Sequence, residues 1–401
     1  MKKRIAVLGA TGSIGKSALD VISRDPDSFE VVLLSAHTGK ENLDILKKKF
    51  PCALPVLTSE EGGKDKLLSA LADTAPDITV NGISGAAGLE PTIAAINAGS
   101  HVALANKESI VMAGQLVKRL AEEKRKNIIP VDSEHSAVFH LLRYFTNKEF
   151  NHGVTRREEE VHLIRPHTET QRHKEHGVIQ REEDTVKEII LTASGGPFRN
   201  LSLNELENVT VKDALAHPTW NMGKKITIDS ASMANKGLEI IEACVFFNMP
   251  SSKVKAVIHP QSIVHSMITL CNGVIYAQLS KPDMRHPIHD ALYWPVTTPS
   301  RLETISFDSL CLEFYKPDTN KFPMLNLAWK AAEKGALYPC VYNSANEIAV
   351  SAFLEEKIKF TDIPKITEHV LEADWSGNCL DLETVLKTDK EARNKAINLI
   401  S

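Results

Sequence analysis

No apolar run in these 401 residues approaches the roughly 18 that a membrane-crossing helix needs. Nor is there an excess of either charge: 47 Lys and Arg face 51 Asp and Glu, a net of −4. That balance gives no footing to a nucleic-acid or membrane-surface binder, whose partners call for a basic face. Cysteine is sparse, and the six residues (52, 244, 271, 311, 340 and 379) form no Cys-x-x-Cys pair. A disulfide framework and a zinc site are thereby disfavoured, and reduced, mostly buried thiols in a cytoplasm are expected. The opening Met1-Lys2-Lys3-Arg4 leads into a short apolar stretch that breaks into Gly, Thr and Ser before a secretory core forms. This also favours a cytoplasmic protein. What is present is ordinary globular usage, 43% apolar and 24% charged. The length suits about two to four domains.

Residues 4–8 read as a buried strand, Gly9–Gly15 as a Gly-rich turn, Lys16 to about Ser23 as a helix and 30–35 as a second strand. That is a βαβ unit. Alternation continues through an apolar helix near 43–50, a strand at 78–81, a helix at 90–98, a strand at 101–105, a helix at 109–124 and a strand at 128–131. The pattern predicts a doubly wound parallel sheet over residues 1–132. From 133 to 293, strands at 187–193, 254–258, 263–270 and 274–279 mix with helices, notably 233–247, which predicts an α+β domain. Residues 294–319 read as a linker, and 320–401 as a helical domain with helices at 324–334, 343–356, 362–373 and 388–399.

Several motifs carry chemistry, each with a plain structural alternative. Glycines 9, 12 and 15 permit a tight turn that presents N–H groups to a pyrophosphate; the alternative is a turn without a ligand. After the second strand the chain reads Ser35-Ala36-His37-Thr38-Gly39-Lys40, without the acid that grips an NAD ribose. Two potential cations there favour the 2′-phosphate of NADP(H), unless Lys40 is merely solvated. Ile128-Ile129-Pro130-Val131 runs straight into Asp132-Ser133-Glu134 at a strand end. Positions i and i+2 of a strand share a face, so both carboxylates are expected to converge on a cation, magnesium or manganese before zinc. Two exposed acids would read the same way.

In Asp229-Ser230-Ala231-Ser232-Met233-Ala234-Asn235-Lys236-Gly237-Leu238-Glu239, Ser230 or Ser232 is expected to cap a helix. Asn235 and Glu239 then share a face, and Ser, Asn and Lys form a phosphate grip; an ordinary capped helix is the alternative. Thr192–Pro197 is a Gly-rich turn able to aim N–H groups and the Ser194 hydroxyl at an anion. Asn106-Lys107-Glu108 stands at a strand end, where open α/β sheets place ligands. His217–Gly223 suits a lid over a site, although a His-Pro loop is often only structural.

Together these segments resemble the 1-deoxy-D-xylulose 5-phosphate reductoisomerase family nearly end to end. The resemblance is carried by GATGSIG (9–15), GAAGL (85–89), LANKES (104–109), PVDSEHSA (130–137), TASGGPF (192–198), HPTWNMG (217–223), DSASMANKGLE (229–239), IHPQSIVHSM (258–267) and PDMRHPI (282–288), in the family's order. It implies a Rossmann-like NADPH domain, a catalytic and connective domain that carries a homodimer interface, and a C-terminal helical bundle. It implies conversion of 1-deoxy-D-xylulose 5-phosphate to 2-C-methyl-D-erythritol 4-phosphate, by rearrangement and then reduction, for isoprenoid precursors. The implied metal ligands are Asp132, Glu134 and Glu239, for magnesium or manganese, with cobalt as a further candidate. Substrate would meet Lys107, Ser133, Glu134, Ser194, His217, Ser230, Asn235, Lys236 and Glu239, with Lys107, Glu134 and His217 as catalytic candidates. NADPH would meet Thr11, Gly12, Ser13, Ile14, Asn106, Glu108 and Gly223, and His37, Thr38 and Lys40 are the candidates for its 2′-phosphate. Trp220 and Met222 would belong to a lid, and His265 and Met284 would line the pocket. Two other functions remain open: a sugar-phosphate oxidoreductase that does not rearrange its substrate, and a non-catalytic NADP(H)-sensing protein.

The sequence departs from the family pattern twice. The lysine after the second strand is displaced to position 40, and the spacing between PVDSE and TASGG is longer than usual. Within that spacing, residues 151–184 hold five histidines and a dense mixture of Arg and Glu. His152–Glu160 recurs as His176–Asp184, with six of nine positions identical. This reads as a tandem duplication, too polar to bury much surface and expected to ride on the outside.

Overall fold

The computed structural model describes residues 1–146, 185–220 and 222–400. The duplicated stretch at 151–184 lies outside the described residues. The N-terminal region alternates strand and helix: β1 Lys3–Leu8, α1 Ser13–Arg24, β2 Phe29–Ala36, α2 Lys40–Lys49, β3 Leu54–Leu57, α3 Gly63–Thr74, β4 Ile78–Asn81, α4 Leu89–Asn97, β5 His101–Leu104, α5 Lys107–Glu123 and β6 Ile128–Pro130. The six strands form one parallel sheet in the order β3-β2-β1-β4-β5-β6. Strand order reverses between β1 and β4, the crevice where such sheets take ligands. β1 and β4 are almost wholly buried, as strands covered on both faces must be.

The middle region begins with α6 Ser133–Thr146 and resumes with β7 Val186–Ala193, α7 Leu203–Leu206, α8 Val211–Ala214, α9 Lys224–Ala231 and α10 Ala234–Phe246. It ends with β8 Val254–Ile258, β9 Val264–Leu270, β10 Ile275–Leu279 and α11 Arg285–Tyr293. Its mixed sheet runs β10-β9-β7-β8, with β7 and β8 parallel and β9 antiparallel to both β7 and β10. The C-terminal region is α12 Pro323–Lys334, α13 Tyr338–Leu354, α14 Asp362–Leu371 and α15 Leu382–Ile400. α13 is its axis, packing against α12, α14, α15 and α5. Among the described residues no helix is long and apolar enough to cross a membrane.

Four expectations are corrected. The chain does not carry Asp132 and Glu134 on a strand: β6 stops at Pro130, and α6 begins at Ser133. The Asp132 carboxylate accepts the Glu134 N–H at 3.2 Å and its carbonyl accepts Ser136 N–H at 2.8 Å, so the two acids converge at a helix N-terminus, which favours negative charge. Ser230 does not cap α10, and Ser232 is not its cap residue, although its Oγ accepts the first N–H of that helix, Ala234, at 3.3 Å. Ser230 lies inside α9, and the cap position is Met233 in the left-handed region, where a sharp break separates α9 from α10. The thiols are not mostly buried: Cys52, Cys271 and Cys311 are exposed, Cys244 and Cys379 are half-buried, and only Cys340 is buried. Finally, the helix expected near 43–50 begins at Lys40 and buries only Leu43, so it is a polar edge helix rather than an apolar one.

Candidate functional site

At the reversal point the backbone is drawn tight. Gly9 has φ +72°, and a Cβ there would come within 2.8 Å of the Gly82 carbonyl oxygen. A Cβ on Gly15 would run into Gly9 O and Ala10 Cα. Only glycine allows the first turn of α1 to press against the β1 and β4 ends. α1 has no acid in its first turn and no side-chain cap, so its first amides remain open to an anion.

This loop forms one wall of a cleft of about 320 Å³. Gly12, Ser13 and Ile14 line it, together with Lys107, Glu108, Asp132, Ser133, Glu134, Ser194 and His217. Trp220, Met222, Gly223, Ser230, Asn235, Lys236, Glu239, His265 and Met284 complete the expected residues at its wall. Thr11, His37, Thr38, Lys40 and Asn106 do not line it. His37, Thr38 and Lys40 stand beyond the end of β2, where His37 Nδ1 lies 3.1 Å from Thr58 Oγ1 and Lys40 is exposed. Asn106 is buried behind the wall. Its amide donates to Ile83 O, Gly85 O and Glu108 Oε2 at 2.7–3.0 Å, tying the cleft loops together.

The charged end is assembled from separate elements. Lys107 starts α5, Asp132 and Glu134 flank the start of α6, and Asn235, Lys236 and Glu239 share α10. Lys107 Nζ donates to Asp132 Oδ2 at 2.6 Å and to Glu239 Oε1 and Asn235 Oδ1 at 2.9 Å. Lys236 Nζ donates to Glu134 Oε1 at 2.7 Å and also pairs with Glu239. Burial alone would raise the Asp132 carboxyl, but the ammonium of Lys107 outweighs it and holds the group well below the carboxylate range. Glu239 goes the other way, raised by burial and by the charges of Asp132 and Glu134. Oxygen atoms of Asp132, Glu134 and Glu239 all lie within 4.8 Å of one another. Three hard oxygen donors opening on a cleft fit a small divalent cation.

A second set, Asp132, His135 and Glu242, is equally close, but His135 and Glu242 are buried behind the wall. Burial would lower the His135 imidazole, yet Glu242 and Asp132 on either side push it up to about 9, while burial raises the Glu242 carboxyl to about 7. His135 Nε2 also lies 3.0 Å from the Glu239 carbonyl. It therefore braces Asp132 and α10 together. The motif reading passed over both residues, although His135 follows Glu134 directly and Glu242 lies three residues past Glu239 on one helix face.

Over the cleft, His217 Nδ1 accepts the N–H groups of Thr219 and Trp220 at 3.1 and 2.9 Å. The proton is thus on Nε2, which donates to Ser194 Oγ at 3.1 Å. Burial lowers the imidazole, in keeping with this neutral tautomer. The 217–220 turn is thereby pinned to the Gly-rich turn after β7. Gly196 has φ +66°, and a Cβ there would come within 2.6 Å of Ser230 O, so the same turn lies against α9.

Three family models match: 1-deoxy-D-xylulose 5-phosphate reductoisomerase over residues 5–62 and 40–114, its C-terminal domain over 167–247, and the DXP reductoisomerase C-terminal domain over 279–395. The chain is 42% identical to the 1-deoxy-D-xylulose 5-phosphate reductoisomerase of Pelodictyon phaeoclathratiforme, covering 100% of both chains. It is 41% identical to that of Treponema denticola, over 99% of this chain and 97% of the relative. The Zymomonas mobilis enzyme, solved in complex with NADPH, superimposes with a TM-score of 0.81 at 39% identity over 100% of both chains. A DOX-P reductoisomerase solved with NADPH, fosmidomycin and magnesium gives 0.84 at 35% identity over 99% of this chain and 98% of that one. The chain belongs to the 1-deoxy-D-xylulose 5-phosphate reductoisomerase family.

Proposed function

We propose that this chain converts 1-deoxy-D-xylulose 5-phosphate to 2-C-methyl-D-erythritol 4-phosphate with NADPH and a divalent metal. One observation carries the reading: the carboxylates of Asp132, Glu134 and Glu239 cluster in the same cleft as the open N-terminus of α1. A bound divalent ion supplies Lewis-acid polarisation of the ketose oxygens, and NADPH supplies hydride. Asp132, Glu134 and Glu239 hold the ion. Lys107 Nζ and the Glu134 carboxylate exchange protons with substrate hydroxyls, and Ser133 lies beside them. Ser194, Ser230, Asn235 and Lys236 hold the phosphate, so binding energy far from the reacting carbons orients them. His217, Trp220 and Met222 cover the site and exclude water.

Thr11, Gly12, Ser13, Ile14, Glu108 and Gly223 serve NADPH, Asn106 from behind the wall through the loops it ties, with His37, Thr38 and Lys40 toward the 2′-phosphate. Residues 1–132 form the cofactor domain, 133–293 the catalytic and connective domain, 294–319 a linker and 320–401 the helical domain. The protein is a cytoplasmic homodimer in this reading. The exposed apolar side chains of Val274, Ile275 and Tyr276, where β10 begins at the edge of the sheet among the described residues, support a subunit contact.

The test is incubation with 1-deoxy-D-xylulose 5-phosphate, Mg²⁺ and NADPH, with and without chelator. NADPH oxidation should match 2-C-methyl-D-erythritol 4-phosphate one to one and stop with chelator. Reduction without skeletal rearrangement would instead mark a plain sugar-phosphate oxidoreductase. Tight NADPH binding without turnover would mark a sensing protein.

A further inference from the structure

The cofactor end of the cleft leans on a residue of the C-terminal helices. Glu347, on α13, accepts the backbone N–H of Ala86 through Oε1 at 3.0 Å, across 261 positions of sequence. Gly85 beside it has φ +75°, and a Cβ there would come within 2.8 Å of that same oxygen, so the turn is seated directly on the carboxylate. From the opposite side the Asn106 amide holds the same turn through Ile83 O and Gly85 O. Gly82, Ile83 and Ser84 line the cleft. Gly82 in turn touches the Gly-rich loop, because a Cβ on it would meet Ile14 at 3.0 Å. A chain of direct contacts therefore runs from α13 to the loop that opens α1.

Glu347 is itself firmly held. Its Oε2 accepts from Arg393 Nη2 of α15 at 2.6 Å, and Oε1 accepts from Asn343 Nδ2 at 3.2 Å. Arg393 is locked by two bonds to Asp389, which takes a further bond from Ser344 at 2.6 Å. Glu347 also faces Lys225, 4.0 Å away at the start of α9, just past the 217–223 segment. Lys225 Nζ joins Glu108 at 2.7 Å and Asp229 at 2.9 Å, and Asp229 accepts from Asn346 of α13 at 2.8 Å. Two adjacent α13 residues thus brace both borders of the cofactor end, the 83–86 turn and the foot of α9.

We propose that Glu347 is a positioning residue for the cofactor, through which the C-terminal helices hold the 83–86 turn against the Gly-rich loop. This rests on the functional reading above, in which that loop takes NADPH. The carboxylate does not line the cleft; it acts through Ala86. Arg393 keeps it aimed.

The test is direct NADPH binding by the full-length protein, read by fluorescence titration, beside Mn²⁺ binding read by electron paramagnetic resonance. Glu347→Ala should raise the NADPH Kd about tenfold, the change expected when a backbone N–H loses its acceptor. Mn²⁺ affinity should stay within twofold, because the three carboxylates are set by α6 and α10. Glu347→Gln should restore NADPH affinity to within about threefold, since its amide oxygen can accept the same N–H. An NADPH Kd for Glu347→Ala within twofold of wild type overturns the proposal. So does equal weakening by Ala and Gln, or a joint fall of NADPH and Mn²⁺ affinity. If Glu347→Ala does not fold, Glu347→Asp takes its place, with at least a threefold rise expected and the same overturning results. A wild-type protein that fails to bind NADPH refutes the functional reading instead.

Discussion

The two ends of the cleft are built from different materials. The Gly9–Gly15 end presents backbone amides, shaped by glycines from one contiguous stretch. The other end presents five buried or half-buried charges, Lys107, Asp132, Glu134, Lys236 and Glu239, gathered from α5, α6, the residue just before α6, and α10. A site made of backbone is sensitive to volume, since any added Cβ moves the chain, yet it holds no charge that needs a partner. A site made of buried charges is sensitive to each side chain, since removing one leaves its partners uncompensated. The Gly9–Gly15 turn is therefore expected to fail by shape and the metal end by charge.

Glu239→Gln is the severest test of the charged end. It keeps shape but removes one of three carboxylates and leaves Lys107 and Lys236 sharing two. Turnover should fall at least about 100-fold, the scale of losing one electrostatic group at a reacting centre. NADPH binding should remain within about threefold. Near-wild-type turnover with Mg²⁺ would show that Glu239 is no necessary ligand and would erase the contrast.

Gly15→Ala is the reciprocal test. Its methyl would collide with Gly9 O and Ala10. It should weaken NADPH binding about tenfold and destabilise the fold by about 1–3 kcal/mol, as overpacking does. Mn²⁺ affinity should not change, and a parallel loss of it would show that the two ends are not separable. Thermal unfolding and the two titrations decide this.

A smaller effect is expected at the far edge of the cofactor end, where side chains rather than amides meet the nucleotide. kcat/KM should favour NADPH over NADH, because a charge-assisted bond to the 2′-phosphate contributes roughly 1.5–3 kcal/mol. Lys40→Ala should raise the NADPH KM a few-fold and leave the NADH KM unchanged. Equal kcat/KM for the two cofactors would remove the reading of His37 and Lys40. An unchanged NADPH KM would exonerate Lys40 alone.

The smallest effect is expected in the duplicated stretch. Deleting Thr155 through Val178 removes one copy of the repeated unit. Activity and dimerisation should stay within about twofold, because an insertion of such polar composition costs little to close or to lose. Loss of either would make the segment part of the site or of the interface.

Much of this was legible in the chain itself, for identifiable reasons. Buried parallel strands are short apolar runs, so β1, β4, β5 and β6 could be read directly, and the helical repeats after residue 320 yielded α12 to α15. β3 and α3 were not read. Residues 54–57 form a short edge strand with a proline, and residues 63–74 mix polar and apolar positions with little periodicity. α6 was missed because Asp132-Ser133-Glu134 looks like the end of a strand. The one local sign of a helix starting at Ser133 is Asp132 itself, an N-cap residue with an acid in the following turn, and it reads equally as a strand-end carboxylate.

What the sequence determined by itself are the features set by neighbours in the chain: the glycine turn into α1, the lack of an acid after β2, and the shared face of Asn235 and Glu239. Each follows from backbone geometry over a few residues. Only the tertiary structure decided which charges meet. Lys107 reaches Asp132, and Lys236 reaches Glu134 across 102 positions. His135 finds Glu242, and Glu347 finds Ala86 across 261 positions. Polar side chains carry no periodic signal of their partners. Their pairing is set by where the packing of apolar faces happens to bring α5, α6, α10 and α13 together, and burial then makes each pairing obligatory.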